Sequence, residues 1–261
     1  MTTTQYVDGQ PSWIDLGTPD IEAAAAFYRG LLGWSFEAGG PEVGGYGMFR
    51  LDGKVVAGGM QVPPEQGPPA WGVYFQTSDA ERTTAKVEES GGAVRVKPMQ
   101  VMDQGSMAIY ADPSGAQFGV WQPAANKGLE ETMDVGSMVW TELYAGDVTE
   151  AKRFYGAVFG WGVSDTEMPG GSVYSMVRPA GTEESSMFGG IVSVDMDAHA
   201  SGPYWQPYFT VEDADAIVAR TEALGGTVRG AAADVPDVGR IAQLADAHGA
   251  RFAVIKPLPR Q

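Results

Sequence analysis

One stretch of this chain occurs twice. Residues 13–34 read WIDLGTPDIEAAAAFYRGLLGW, and residues 140–161 read WTELYAGDVTEAKRFYGAVFGW, 127 positions further on and without a gap. Trp13 matches Trp140, Asp15 matches Glu142 and Asp20 matches Asp147; Phe27-Tyr28 matches Phe154-Tyr155, and Gly33-Trp34 matches Gly160-Trp161. The match continues through Tyr46 and Met48 with Tyr174 and Met176, and Gly58-Gly59 with Gly189-Gly190. Trp71 pairs with Trp205, Gly91-Gly92 with Gly225-Gly226, and Asp112-Pro-Ser-Gly115 with Asp246-Ala-His-Gly249. A repeat carried over so many positions means two copies of one structural unit, which restricts the fold before any composition is considered.

Each copy holds a weaker repeat of its own: a short strand, an acidic turn, a helix ending at glycine, then three short strands. In the first quarter Trp13–Leu16 reads as a strand, Thr18 as a helix N-cap and Pro19 as the first helical residue. Ile21, Ala24, Ala25, Tyr28 and Leu32 share one helical face, and Gly33 ends the run. Asp79 caps a second helix, stopped by Gly91-Gly92, and Asp147 with Glu150 forms a capping-box-like start to a third. Four βαβββ units follow, two per half. The expected fold class is α+β. The domains are residues 1–125 and 137–261, with the polar segment 126–136 as linker.

Composition then excludes whole classes of function. The 261 residues are 44% hydrophobic, enough for a sizeable core, with a formal net charge of −16. That field repels phosphate backbones and anionic membranes, so nucleic acid and membrane are not expected partners. Without cysteine there is no disulfide, thiolate metal site or cysteine nucleophile, and two histidines leave little imidazole chemistry. The start shows no signal-peptide pattern and no apolar run is long enough to span a bilayer, so a cytoplasmic protein is expected.

The combination D-x-x-x-A-x-x-FY-x-x-x-x-GW with D-P-x-G on paired βαβββ units resembles the vicinal oxygen chelate superfamily. That superfamily includes glyoxalase I, extradiol dioxygenases and bleomycin-resistance proteins. The resemblance covers essentially the whole chain and is closest to two-domain actinobacterial members. It implies sheets curled into a U-shaped, partly open barrel around a cavity, with helices outside. It also implies where metal ligands would stand: here those places hold Trp13 and Trp140, Gly72 and Gln206, and Gly119 and Ala253. Divalent ions need several N or O donors converging on a point. One glutamine does not provide them, so no metal and no cofactor is expected.

Alternation along the strands places Trp13 with Asp15, and Trp140 with Glu142, on one face. The same rule places Tyr74 beside Gly72, Tyr208 beside Gln206 and Trp121 beside Gly119. Tyr46, Met48, Met60, Tyr174 and Met176 come from the middle strands. Aromatic rings and adaptable methionines suit a flat apolar ligand. The alternative is that these side chains simply fill the core. Gly72, Gly119 and Ala253 remove volume there and favour an open pocket. Asp15 and Glu142 are the candidate acid–base residues, since a carboxylate among indoles is poised to carry a proton. His199, in the loop 193–204, is a lesser candidate; His248 reads as a surface turn residue.

The expected function is metal-free binding of a small aromatic or apolar natural product, of the sequestering, antibiotic-resistance type. The alternative is a metal-independent tailoring enzyme of aromatic polyketide biosynthesis, of hydroxylase, cyclase or lyase type. The balance leans away from an enzyme. Because both halves lie in one chain, a monomer with pseudo-dimeric halves is expected, with a homodimer as the alternative.

Overall fold

The computed structural model describes residues 6–168 and 171–259. The first quarter comprises β1 (Pro11–Thr18), α1 (Ile21–Leu32), β2 (Ser35–Glu37), β3 (Gly47–Leu51) and β4 (Lys54–Gln61). The second comprises β5 (Ala70–Gln76), α2 (Ala80–Glu89), β6 (Ala93–Val101), β7 (Gly105–Ala111) and β8 (Gln117–Pro123). The third comprises β9 (Met138–Ala145), α3 (Val148–Phe159), β10 (Gly162–Glu167), β11 (Val173–Arg178) and β12 (Gly189–Ser193). The fourth comprises β13 (Tyr204–Thr210), α4 (Ala214–Ala223), β14 (Thr227–Val235), β15 (Gly239–Ala245) and β16 (Arg251–Pro257). This is α+β, with four βαβββ units. Two eight-stranded open sheets have the orders β2-β3-β4-β1-β5-β8-β7-β6 and β10-β11-β12-β9-β13-β16-β15-β14.

Among the described residues, α1 to α4 begin in the same way. Asp20, Asp79, Asp147 and Asp213 are extended N-cap residues whose carboxylates accept from the amides of Ala23, Arg82, Glu150 and Ala216, at 2.9–3.0 Å. Each satisfies one of the helix's orphan donors and places negative charge at the positive end of the dipole. Thr18 is not the first cap: it ends β1, and Asp20 takes the role two residues later. The box at Asp147 is one-sided, because the Glu150 carboxylate faces Arg153 at 3.3 Å. Gly33 and Gly160 close α1 and α3 with φ of 78° and 73°, a left-handed conformation that suits glycine.

By packing, the described residues fall into two compact units, each drawing on both halves of the sequence. One holds residues 6–13, Gly72–Gly128, 140–168 and 171–205; the other holds Ile14–Trp71, Leu129–Val139 and residues 206–259. In the first unit α2 packs on α3, and Phe75, Phe118, Tyr155, Trp161 and Trp205 make an aromatic core. Buried in it, the Trp205 indole donates to Tyr155 Oη at 2.9 Å, and Tyr155 donates to Asp112 Oδ2 at 3.3 Å. Asp112 Oδ1 accepts from the amides of Ser114 and Ala116, both at 2.9 Å. Trp161 ties down the approach to β1 by donating to the Gly9 carbonyl at 2.8 Å.

The second unit repeats the device with the partners exchanged. Trp71 donates to Tyr28 at 3.0 Å, Tyr28 donates to Asp246 Oδ2 at 3.3 Å, and Asp246 Oδ1 accepts from His248 and Ala250 at 2.9 Å. Trp34 donates to the Gly136 carbonyl at 2.7 Å, just before β9. Burial pushes both tyrosines well above their ordinary value, and the neighbouring aspartates add to that; burial also raises Asp112 and Asp246. The duplicated FY, GW, Trp and D-x-x-G positions are therefore scaffold, and their buried polar atoms partner one another. His248 is not the surface residue expected: it is half-buried, and its Nε2 is buried without a hydrogen-bond partner. Among the described residues no helix is long and apolar enough to cross a membrane.

Candidate functional site

In the compact unit that contains β3 and β4, the register pairs Asp15 of β1 with Gly58 of β4, and Gly58 with Met48 of β3. The Tyr46 ring crosses the sheet surface over Gly58, where any Cβ would collide with the phenol, and donates to Asp15 Oδ2 at 3.2 Å. Asp15, Tyr46 and Met48 are half-buried, and Met60 is exposed.

The other unit holds the counterpart. Glu142 of β9 pairs with Gly190 of β12, and Gly190 with Met176 of β11. Tyr174 lies over Gly190 and donates to Glu142 Oε2 at 2.8 Å, while the Trp140 indole donates to Tyr174 Oη at 2.9 Å. Burial first, and then the Glu142 charge, push Tyr174 well above the usual phenol range, so it stays a neutral donor. Glu142 is buried, whereas Trp140, Tyr174 and Met176 are half-buried. These registers move the sequence match by one: Gly58 corresponds to Gly190, not Gly189. Each is the residue beneath the tyrosine, which is why the position has no side chain.

The remaining candidates are packed more tightly than the sequence suggests. Tyr74 pairs with Gly119 across β5 and β8, and the phenol ring occupies the space a Cβ at Gly119 would need. The volume removed at Gly119 is thus filled, not open. Trp13, Tyr74 and Trp121 are buried, and the Trp121 indole donates to the Asn126 carbonyl at 3.0 Å. On β13, Gln206 and Tyr208 are also buried. Gln206 Nε2 donates to Gln243 Oε1, and Gln243 Nε2 donates to Tyr208 Oη at 2.9 Å, an amide–phenol ladder beside Ala253. His199 is exposed, with its amide on Asp197 Oδ1 at 2.9 Å.

Sequence reasoning did not single out Tyr144, Tyr204 or Gln243. Tyr144 follows Trp140 and Glu142 on the same face of β9 and stacks on Tyr204, with centroids 4.7 Å apart and planes 5° apart. Tyr204 donates to Asp197 Oδ2 at 2.6 Å, pinning the loop before β13. The signal was available: two-residue alternation from Glu142 leads to Tyr144.

The positions that the resemblance assigns to metal ligands carry two indoles, two glycines, an alanine and Gln206, whose amide nitrogen is engaged by Gln243. Among the described residues no three His, Cys, Asp or Glu side chains gather as a metal would require. This donor set does not fit a divalent ion.

The family model described as "Glyoxalase/Bleomycin resistance protein/Dioxygenase superfamily" matches residues 10–120 and 137–254. The chain is 39% identical over 272 residues to "Anthracycline biosynthesis protein DauV" of Streptomyces sp. (strain C5), covering 97% of this chain and 95% of that protein. The Mn(II)-bound glyoxalase from Novosphingobium aromaticivorans shares the fold with a TM-score of 0.67 at 15% identity, covering 95% of this chain and 82% of that one. The 2,3-dioxygenase LapB from Pseudomonas sp. KL28 does so with a TM-score of 0.63 at 14% identity, covering 98% and 96%.

Proposed function

The chain belongs to the glyoxalase/bleomycin resistance/dioxygenase superfamily, and from that premise we propose that it binds a planar, largely apolar aromatic natural product without a metal. The observation that carries this reading is the pair of phenol–carboxylate units, Tyr46–Asp15 and Tyr174–Glu142. Each lies on a strand face with aromatic or methionine neighbours. Flat faces of this kind give stacking area, and a fixed carboxylate orients a ligand hydroxyl. The similarity to a protein named for anthracycline biosynthesis supports a polyketide-type ligand, and the cytoplasm is the compartment proposed for it.

Two outcomes of binding are separable. In sequestration the ligand leaves unchanged. In a tailoring reaction Asp15 or Glu142 moves a proton while the aromatic faces orient the substrate. Tryptophan-fluorescence titration with a neutral hydroxyanthraquinone in chelator, followed by mass analysis of the recovered compound, tests both. Saturable binding with the compound recovered intact supports sequestration. A changed mass or isomer supports catalysis, and absence of binding overturns the proposal.

A further inference from the structure

The duplicated faces are no longer equivalent. Following Asp15 on its face of β1 is Gly17; following Glu142 on β9 is Tyr144. Before Trp71 stands Ala70; before Trp205 stands Tyr204. The second half thus fills this part of its face with two of its own phenol rings, stacked 4.7 Å apart and nearly parallel. The first half carries neither ring.

Three further observations agree. Met60, paired in register with Gly17, is 36% exposed, whereas Val192, paired with Tyr144, is 2% exposed. Ala70 is exposed, and the three atoms nearest to a Cβ at Gly17 belong to Val62, its Cγ2 at 3.2 Å, and to the Ala70 carbonyl at 3.9 Å, with no aromatic ring among them. The Tyr46–Asp15 hydrogen bond is 3.2 Å long with a half-buried acceptor; the Tyr174–Glu142 bond is 2.8 Å long with a buried one.

We infer that the ligand site proposed above has been kept in the first half and closed in the second, so that one chain takes one ligand. The occupant is an uncharged fused-ring aromatic carrying a hydroxyl. Its ring lies over Gly17 and Met60, in the place that Tyr144 and Tyr204 take in the other half. Its hydroxyl donates to Asp15, whose Oδ2 accepts from Tyr46. The net charge of −16 disfavours an anionic ligand. This inference rests on the binding reading of the preceding subsection.

The absence of cysteine makes a clean test feasible. Single variants Met60→Cys and Val192→Cys are labelled with a maleimide, with and without 1,8-dihydroxyanthraquinone, whose binding is followed separately by fluorescence and calorimetry. The expected result is one probe per chain, labelling at position 60 at least tenfold faster than at 192, and at least tenfold protection of position 60 by the probe. Gly17→Tyr should abolish binding while circular dichroism stays that of the parent, with Val62 giving way by a few tenths of an ångström. If that variant misfolds, the protection experiment still decides. Two probes per chain, equal labelling rates, or a bound probe that leaves position 60 unprotected overturns the inference while the binding reading stands. Failure of the parent chain to bind the probe overturns both.

Discussion

Trp13 and Trp140 occupy matching positions, yet they are not in matching environments. Trp13 is buried, and Trp140 is half-buried with its indole N–H on Tyr174. Trp13→Ala should therefore behave as a core truncation, costing about 3–5 kcal/mol of stability. Trp140→Ala should cost less in chemical denaturation and should expose Tyr174 to water. The phenol also reports on its carboxylate. Because the Glu142 charge raises Tyr174, Glu142→Gln should bring one tyrosine's ionisation to lower pH in an ultraviolet titration, with burial still holding it above the ordinary value. An unchanged titration would mean that the two groups are not in contact. Glycine at 190 is required by the same contact, since a Cβ there meets the Tyr174 hydroxyl. Gly190→Ala should displace the ring and cost about 1–3 kcal/mol, as overpacking does.

The helices and strands are joined by the two buried Trp–Tyr–Asp chains, so their contribution belongs to the elements they connect. Tyr155→Phe removes one link between α3 and the turn after β7, and leaves the Asp112 carboxylate and the Trp205 indole each short of a partner. The expected loss is about 1–3 kcal/mol by denaturant titration, and Tyr28→Phe should behave alike through Trp71 and Asp246. The aspartates also set a pH dependence. Both bind their protons above the ordinary value of 3.8, because burial outweighs the amides that stabilise the charge. The folded chain then holds more protons than the unfolded chain in the window just above 3.8. These two groups therefore take stability away as pH rises through that window. Asp112→Asn, compared with the parent over that range, should flatten this part of the stability profile even though it lowers stability overall.

For the whole molecule, the consequence is that each compact unit needs segments from both halves of the chain. Tyr28 of the first half reaches Asp246 of the second, and Tyr155 of the second reaches Asp112 of the first. Reciprocal contacts of this kind are what a two-fold pair of identical subunits makes. Here they are met within one chain, so light scattering is expected to give the mass of one chain, and a mass of two would show that further association is needed. Prolonged dialysis against chelator should leave the melting temperature and probe affinity unchanged, because the positions of metal ligands carry indoles, small residues and one glutamine whose amide is held by Gln243. A loss of either that added Mn(II) or Zn(II) restores would refute that expectation.

The four βαβββ units and two of the three helix starts named from the sequence were legible because their causes are local. Aspartate caps, left-handed glycines and two-residue alternation act over a handful of residues and leave the same mark in both copies. The same locality explains the error at Thr18: Thr-Pro-Asp offers two capping residues in succession, and only the path of β1 selects the second. Which candidate side chains border space was not legible. Alternation assigned Tyr74 to a face and the repeat put Tyr46 and Tyr174 on the middle strands, but whether a ring lies over Gly119, Gly190 or Gly58 depends on the register of neighbouring strands far away in sequence. Gln243 joined Gln206 and Tyr208 for that reason, and Tyr144 met Tyr204 across 60 residues of chain. Volume in a close-packed interior is shared among strands, and a period read along one strand carries no record of what the next one places in the gap.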